Sequence, residues 1–311
     1  MKITERTFHA QNGNLHYFET DGGKQPLVLI HAQGVDATSY GNVIKPLSQK
    51  YHVYAVDCFG HGKSSHDPEH YTVCAIGSAI AELIRTVIGS KPSIVGHSSG
   101  GLIAAYIAAT YDLCDTLFLE DPPLFSSQGE RRFHTFHYLD LSTVCHGFLA
   151  QTQEADFVLY YFIHQKAWEF FPPDIKAKIY DRMVLMAKKN RLRHPDRNLK
   201  VPFWPKYALA AFQGMNAYDP RFGEAFYQDT FHAGIPHTDM LAKIQCNTVI
   251  MKAKTNFDKD GILLAAMNDE DAAQAQRLIK SSHIVRFDCG HGVHVEKKSQ
   301  FVALLMEQAN G

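Results

Sequence analysis

Short unbroken apolar runs recur along the chain, separated by longer stretches in which apolar residues return every three or four positions. Pro26-Leu27-Val28-Leu29-Ile30 is the first such run, the pattern of a strand buried on both faces of a parallel sheet. Tyr51–Val56, Ser93–Val95, Thr116–Leu119, Thr248–Met251 and Ile284–Phe287 repeat it. Ahead of them, Thr7–Gln11 and Leu15–Thr20 are β-like runs on either side of Asn12 and Gly13, which predicts a hairpin. Gly22 and Gly23 then break the chain. Between Ala79 and Gly89, Ile80, Leu83, Ile84, Val87 and Ile88 fall at i, i+3, i+4, i+7 and i+8, which places them on one helical face packed on the sheet. Similar spacing predicts helices over roughly 36–50, 100–111, 269–280 and 297–309. Strand and helix therefore alternate, and right-handed crossovers put helices on both sides of a mostly parallel, doubly wound α/β sheet.

The alternation stops between about Leu124 and Pro236, where the chain becomes aromatic with a helical period. Phe157, Tyr161, His164, Trp168 and Phe171 fall on one continuous helical face, while Tyr160, Phe162, Ile163 and Phe170 populate other sides. A helix so apolar all round is covered on more than one side. The expected division is a core of residues 1–123 and 237–311 with a helical cap, 124–236, inserted in it. Such a segment serves as a second small core, as a cover lining an apolar pocket over the sheet, or as both. The chain has no internal repeats or low-complexity tracts.

Composition narrows the function classes. The 311 residues carry 31 Lys and Arg against 32 Asp and Glu, a formal charge of -1. That balance offers no basic surface for a phosphate backbone and no acidic tail, so nucleic acid is not an expected partner. No apolar run approaches the roughly 18 to 20 residues that span a bilayer, so no membrane insertion is expected. Met1–Asn14 lacks the apolar stretch of a signal peptide, and a cytoplasmic location is expected. The six cysteines are widely separated, which reads as reduced thiols acting as small hydrophobes. Among 18 histidines there is no HExxH, and the sequence puts no carboxylate or cysteine cluster beside His291 and His294, so no catalytic metal is expected.

The strand ending at Val95 runs into Gly96-His97-Ser98-Ser99-Gly100-Gly101, and a helix beginning Leu102-Ile103-Ala104-Ala105 follows. This is GxSxG in the strand, sharp turn and helix that the motif requires. Glycines flank the serine because the turn brings strand and helix too close for other side chains. Ser98 is thereby raised above the sheet edge beside a helix N-terminus, whose free N–H groups favour developing negative charge. His97 is expected to point away from it. One decoy is Gly60-His61-Gly62-Lys63-Ser64, which contains GKS. A phosphate loop would need glycine at residue 57, which is Asp57, and no GxGxxG follows the first strand, so neither nucleotide nor dinucleotide cofactor is expected.

With these motifs in place the chain resembles the α/β-hydrolase superfamily, in its single-chain members with a helical cap, over nearly its whole length. Leu27-Val28-Leu29-Ile30-His31-Ala32-Gln33-Gly34 is similar to the family's strand and HG segment. Asp57-Cys58-Phe59-Gly60-His61-Gly62-Lys63-Ser64 is similar to its DxxGxGxS turn, and Gly290-His291-Gly292-Val293-His294-Val295-Glu296 to its GHxxxxE. The resemblance implies an oxyanion hole at the backbone amides of Gln33 and Ser99. Ala32 departs from the usual glycine, which leaves Gly34 as a substitute donor for Gln33. His291, on a loop after the last strand, is the implied general base, and His294 a packed or substrate-facing neighbour. For the acid, the family pattern GxxD falls on Ala253 to Asn256, where an amide stands in the carboxylate's slot. A loop longer by two residues delivers Asp258, which is preferred; Asp260 is second. Asp121 is third, since some relatives draw the acid from the earlier strand, and a turn residue before Pro122-Pro123 is the better reading of it.

The implied activity is that of a cofactor-independent serine hydrolase, resembling carboxylesterases. Ser98 would attack an ester or related acyl bond of a small, mainly apolar substrate, with an acyl-enzyme released by water. C–C bond hydrolysis and perhydrolase chemistry suit the same triad. A ligand-sensing protein that keeps the fold with slow or no turnover is the alternative from another class. Natural substrate and oligomeric state are not legible in the residues.

Overall fold

In a computed structural model of the chain, residues 2–22, 24–202, 204 and 212–308 are described. Eight strands form one sheet: β1 (Ile3–Ala10), β2 (Gly13–Thr20), β3 (Gln25–Ile30), β4 (Tyr51–Val56), β5 (Ser93–His97), β6 (Thr116–Glu120), β7 (Asn247–Lys252) and β8 (Ser282–Arg286). Their order is β1-β2-β4-β3-β5-β6-β7-β8. The β1/β2 hairpin joins β4 in antiparallel fashion, and every pair from β4 onward is parallel. The hairpin turn is the expected one, with its strands longer than the sequence suggested. Gly23 lies outside the described residues.

The helices are α1 (Gly41–Leu47), α2 (Val73–Leu83), α3 (Ser99–Thr110), α4 (Thr143–Leu149), α5 (Phe157–His164), α6 (Pro173–Arg193), α7 (Pro220–Tyr227), α8 (His237–Leu241), α9 (Asp269–Leu278), α10 (Val293–Glu296) and α11 (Lys298–Gln308). The expected end of the last at 309 falls outside the described residues. Successive side chains of a strand point to opposite faces, and here both faces are covered. Val28, Ile30, Ile94, Leu117 and Leu119 pack with residues of α2, α3 and α9. Their neighbours Leu27, Leu29, Val95 and Phe118 pack with α1 and α11. None of the described helices is long and apolar enough to cross a membrane.

Two helical readings are corrected. The face predicted through Val87 fails because α2 passes into a π turn over Ile84–Ile88 before Gly89, at φ 72°, ends it. The wider turn rotates Val87 outward, and it is 40% exposed. The second is the single stripe from Phe157 to Phe171. α5 stops at His164, Gln165 is extended (φ -57°, ψ 139°), and a 3₁₀ turn covers Lys166–Phe170. Here Asp140, a residue of the preceding segment, takes the Lys166 N–H, so the helical ladder cannot run on. The Trp168 indole N–H donates to the Phe162 carbonyl at 2.7 Å, and Phe162 and Trp168 are buried.

Helices α4 to α7 all lie between β6 and β7, so the long aromatic segment is inserted at the strand edge where Ser98 emerges.

Candidate active site

Ser98 sits between β5 and α3 at φ 55°, ψ -120°, a conformation that costs a non-glycine residue roughly 1–3 kcal/mol. Its N–H donates to the Glu120 carbonyl at 3.0 Å, and its carbonyl accepts from Gly101 N at 2.8 Å. A Cβ at Gly96 would lie 2.3 Å from the Gly100 carbonyl oxygen, and one at Gly100 2.3 Å from that of Ile30. Only glycine fits at either position, so strand and helix close on each other and leave the serine no relaxed alternative. Ser98, His97 and His291 line one cavity of about 360 Å³, together with Ala32 and Gln33.

His291 Nδ1 lies 2.8 Å from Asp121 Oδ2. The carboxylate is fully buried, and its other oxygen accepts from Ala253 N at 3.2 Å. With Nδ1 held, Nε2 is the imidazole atom left for a proton arriving from the cavity.

Asp258 is not brought to His291. Its Oδ1 accepts from the N–H groups of Asp260 and Ile262, both at 2.9 Å, so the carboxylate closes a turn of its own loop. Asp260 is exposed on that turn, and Asn256 is exposed as well. Of the three candidate aspartates, the structure brings Asp121, not Asp258 or Asp260, to His291. β6 is the immediate neighbour of β5, with Glu120 opposite His97, so the first residue after β6 comes out beside Ser98. Asp121 adopts φ 42°, which turns the chain at that edge.

The expectation that no carboxylate stands near His291 and His294 is also overturned. His294 N and Nδ1 both lie 2.8 Å from Glu120 Oε1, and Nδ1 lies 3.0 Å from Oε2. Consecutive carboxylates at the end of β6 thus meet His291, just before α10, and His294, within it. Burial raises the Glu120 carboxyl, but His294, His97 and the hydrogen bonds from His294 outweigh it and hold it down at about 2. The His97 ring packs beside that of His291, and its Nε2 donates to the His291 carbonyl at 3.1 Å. Burial pushes its pKa down to about 3, Glu120 opposing and His291 and His294 adding to the fall, so it is neutral at neutral pH. His97, Glu120 and His294 offer ligand atoms within 4.8 Å of one another, the one such grouping among the described residues. Glu120 bonds the N–H and Nδ1 of His294, and His97 Nε2 bonds the His291 carbonyl, so the cluster pins the segment that carries His291. Glu120→Gln is expected to cost about 3–5 kcal/mol, the usual penalty for breaking a buried pair. Denaturant unfolding checks this, and a loss under 1 kcal/mol would contradict it.

The turn after β3 is set by two imidazoles. His31 Nδ1 donates to the Ala32 carbonyl at 2.8 Å, and its Nε2 accepts from Cys58 N at 3.0 Å. His61 Nδ1 donates to the Phe59 carbonyl, and its Nε2 accepts from Gly34 N at 3.1 Å. Gly34 therefore has no N–H to offer as a substitute donor. Among the described residues, the backbone N–H groups of Gln33 and Ser99 have no acceptor. Asp57 fills the decoy loop with its own carboxylate, accepting from Ala37 N at 2.8 Å and Lys63 N at 3.1 Å.

Asp140, His137 and Tyr161 of the insertion also line the cavity, and sequence reading missed them. Their signal was weak, since nothing in the local pattern separates a pocket residue from a core one. Burial pushes the Asp140 carboxyl up to about 6, against hydrogen bonds from the Tyr161 hydroxyl and the Lys166 N–H. A raised folded-state pKa means the fold binds this proton more tightly than the unfolded chain. The stabilisation is complete below the ordinary value of 3.8 and is lost as pH rises through about 6. A shift of about two units corresponds to about 3 kcal/mol. Asp140→Asn should therefore compare more favourably with wild type at pH 8 than at pH 4 by about that amount in denaturant unfolding; a pH-independent difference would contradict this.

The profile of the Alpha/beta hydrolase family matches residues 27–304, which includes the strands from β3 onward and all the residues above. The chain belongs to the alpha/beta hydrolase family. Its sheet order and inserted helices are those of an α/β hydrolase fold. An uncharacterised Mycobacterium tuberculosis protein is 32% identical over 113 residues, 36% of this chain and 33% of that protein. The (E)-2-((N-methylformamido)methylene)succinate hydrolase of Acinetobacter baylyi is 34% identical over 101 residues, 32% of this chain and 38% of that protein. The matched stretch thus spans about a third of these relatives. Among solved structures, an esterase from Exiguobacterium antarcticum superposes with a TM-score of 0.66 at 18% identity, covering 99% of this hydrolase-family chain and 100% of the esterase.

Proposed function

We propose that this α/β hydrolase is a serine hydrolase that cleaves an ester or related acyl bond of a small, mainly apolar substrate without a cofactor. The observation that carries the reading is the buried Asp121 carboxylate on His291 Nδ1, at 2.8 Å, in a cavity that also holds the strained Ser98. Residues 124–236 act as the cap: Phe136, Leu141 and Met215 supply apolar wall over the sheet edge.

In this mechanism the Ser98 hydroxyl attacks the carbonyl carbon as His291 Nε2 takes its proton. Asp121 holds the imidazole tautomer and stabilises the imidazolium. The N–H groups of Gln33 and Ser99 receive the oxygen as it becomes negative, and one such donor typically contributes about 10²- to 10³-fold in rate. His291 then protonates the leaving group, and water activated by the same imidazole hydrolyses the acyl-enzyme. Purified protein should release p-nitrophenol from short-chain p-nitrophenyl esters. If wild type and Ser98→Ala are equally slow across a broad ester panel, the hydrolase reading fails and a ligand-sensing role takes its place.

A further inference from the structure

The formal charge of -1 conceals a local excess of cations. Helix α6 carries seven Lys and Arg against two Asp, and the rest of the chain 24 against 30. One side of α6 is core: the helix packs against α5, with Met183, Ala187 and Arg191 buried. The other side presents Ile175, Lys178, Arg182, Leu185, Lys189 and Leu192, at i, i+3, i+7, i+10, i+14 and i+17, a single helical face. All six are exposed, Ile175 by 40%, Leu185 by 51% and Leu192 by 85%. Of the nine large apolar side chains exposed among the described residues, four lie between Phe170 and Leu192. Such a concentration differs from the single scattered residues of an ordinary surface. The cations are equally uncommitted. Arg182, Lys188, Lys189 and Arg193 have no ion-pair partner among the described residues, and Lys178 reaches Asp174 only at 4.0 Å.

We propose that this face of α6 rests on an anionic lipid surface, with Ile175, Leu185 and Leu192 entering the boundary between headgroups and acyl chains and the Lys and Arg side chains meeting lipid phosphates. Long cationic side chains suit that position, because their heads stay among the headgroups while their stems lie along apolar ground. A basic helix with interleaved apolar residues has this chemistry even where the whole chain is nearly neutral. Nucleic acid would use the cations and leave three large apolar side chains in water. The strip also leads to the cavity. Phe170, 58% exposed just ahead of α6, stacks on Phe136 at 5.5 Å, and Phe136 lines the cavity that holds Ser98. A bilayer is where apolar small molecules collect, so this path gives lipid contact a use that a soluble acidic partner would not have. Each Lys or Arg held near an anionic leaflet strengthens binding about fivefold, and no spanning helix is required.

The test floats the full chain, without substrate, on vesicles of phosphatidylcholine alone and of phosphatidylcholine with one-third phosphatidylglycerol. Partition should be about tenfold or more higher on the anionic vesicles. It should fall toward the neutral value in about 0.5 M NaCl, where the Debye length shrinks to roughly 4 Å. Arg182→Glu with Lys189→Glu, and separately Leu185→Gln with Leu192→Gln, should each lower binding to the anionic vesicles by about fivefold or more. Val87→Gln, which alters an exposed apolar residue outside α6, should not. The wild-type comparison of the two vesicles decides even if a variant does not fold: equal binding to both, or binding to neither, overturns the proposal. So does wild-type affinity in the leucine pair, since the face would then be answering to charge alone, which any polyanion satisfies.

Discussion

Ser98→Ala should lower kcat for ester cleavage by on the order of 10⁶-fold, because nucleophile and base act as a unit and losing either removes most of what the triad contributes. Ester hydrolysis under saturating substrate measures it. A residual rate within about a hundredfold of wild type would mean that another group attacks the carbonyl. The backbone adds an independent sign. Ser98 is held at φ 55°, ψ -120°, with glycines at 96 and 100 closing off relaxation. Ser98→Gly should therefore be as inactive as the alanine variant yet more stable than wild type by about 1 kcal/mol, since glycine visits positive φ without steric cost. Activity and stability would move in opposite directions at one residue, as expected where strain is retained for chemistry.

The second large effect concerns the acid. Asp121→Asn preserves size and burial but offers His291 Nδ1 an amide, which can hold the wrong tautomer; the expected loss is about 10⁴-fold in kcat. Asp258→Asn should keep nearly full activity, because that carboxylate caps a turn through Asp260 N and Ile262 N. Its stability should change little, because the asparagine Oδ1 accepts from the same two N–H groups. The pair of variants, assayed side by side, separates the two assignments; comparable activity in both would remove Asp121 from the mechanism.

Much of the fold was legible because it is written in local pattern. Buried parallel strands read as unbroken apolar runs, and the GxSxG turn is recognisable because its strand, turn and helix are contiguous in sequence. The partner of His291 was misread for the opposite reason. It depends on which loops the sheet brings together, which no local window contains, and the family pattern pointed to the loop after β7. One clue was present in the sequence: Glu120-Asp121-Pro122-Pro123 places two carboxylates after a strand apolar enough to be central. The single stripe drawn from Phe157 to Phe171 failed similarly. Asp140, seventeen positions before Phe157 in the chain, interrupts that helix by capturing the N–H of Lys166, and periodicity carries no trace of so distant a partner.

With Asp121 as the proposed acid, the stretch after β7 carries no catalytic group, yet Leu264, Ala265 and Ala266 at its far end still form part of the cavity wall. Its earlier portion, closed on itself by Asp258, can lengthen, shorten or change composition without disturbing the proton relay.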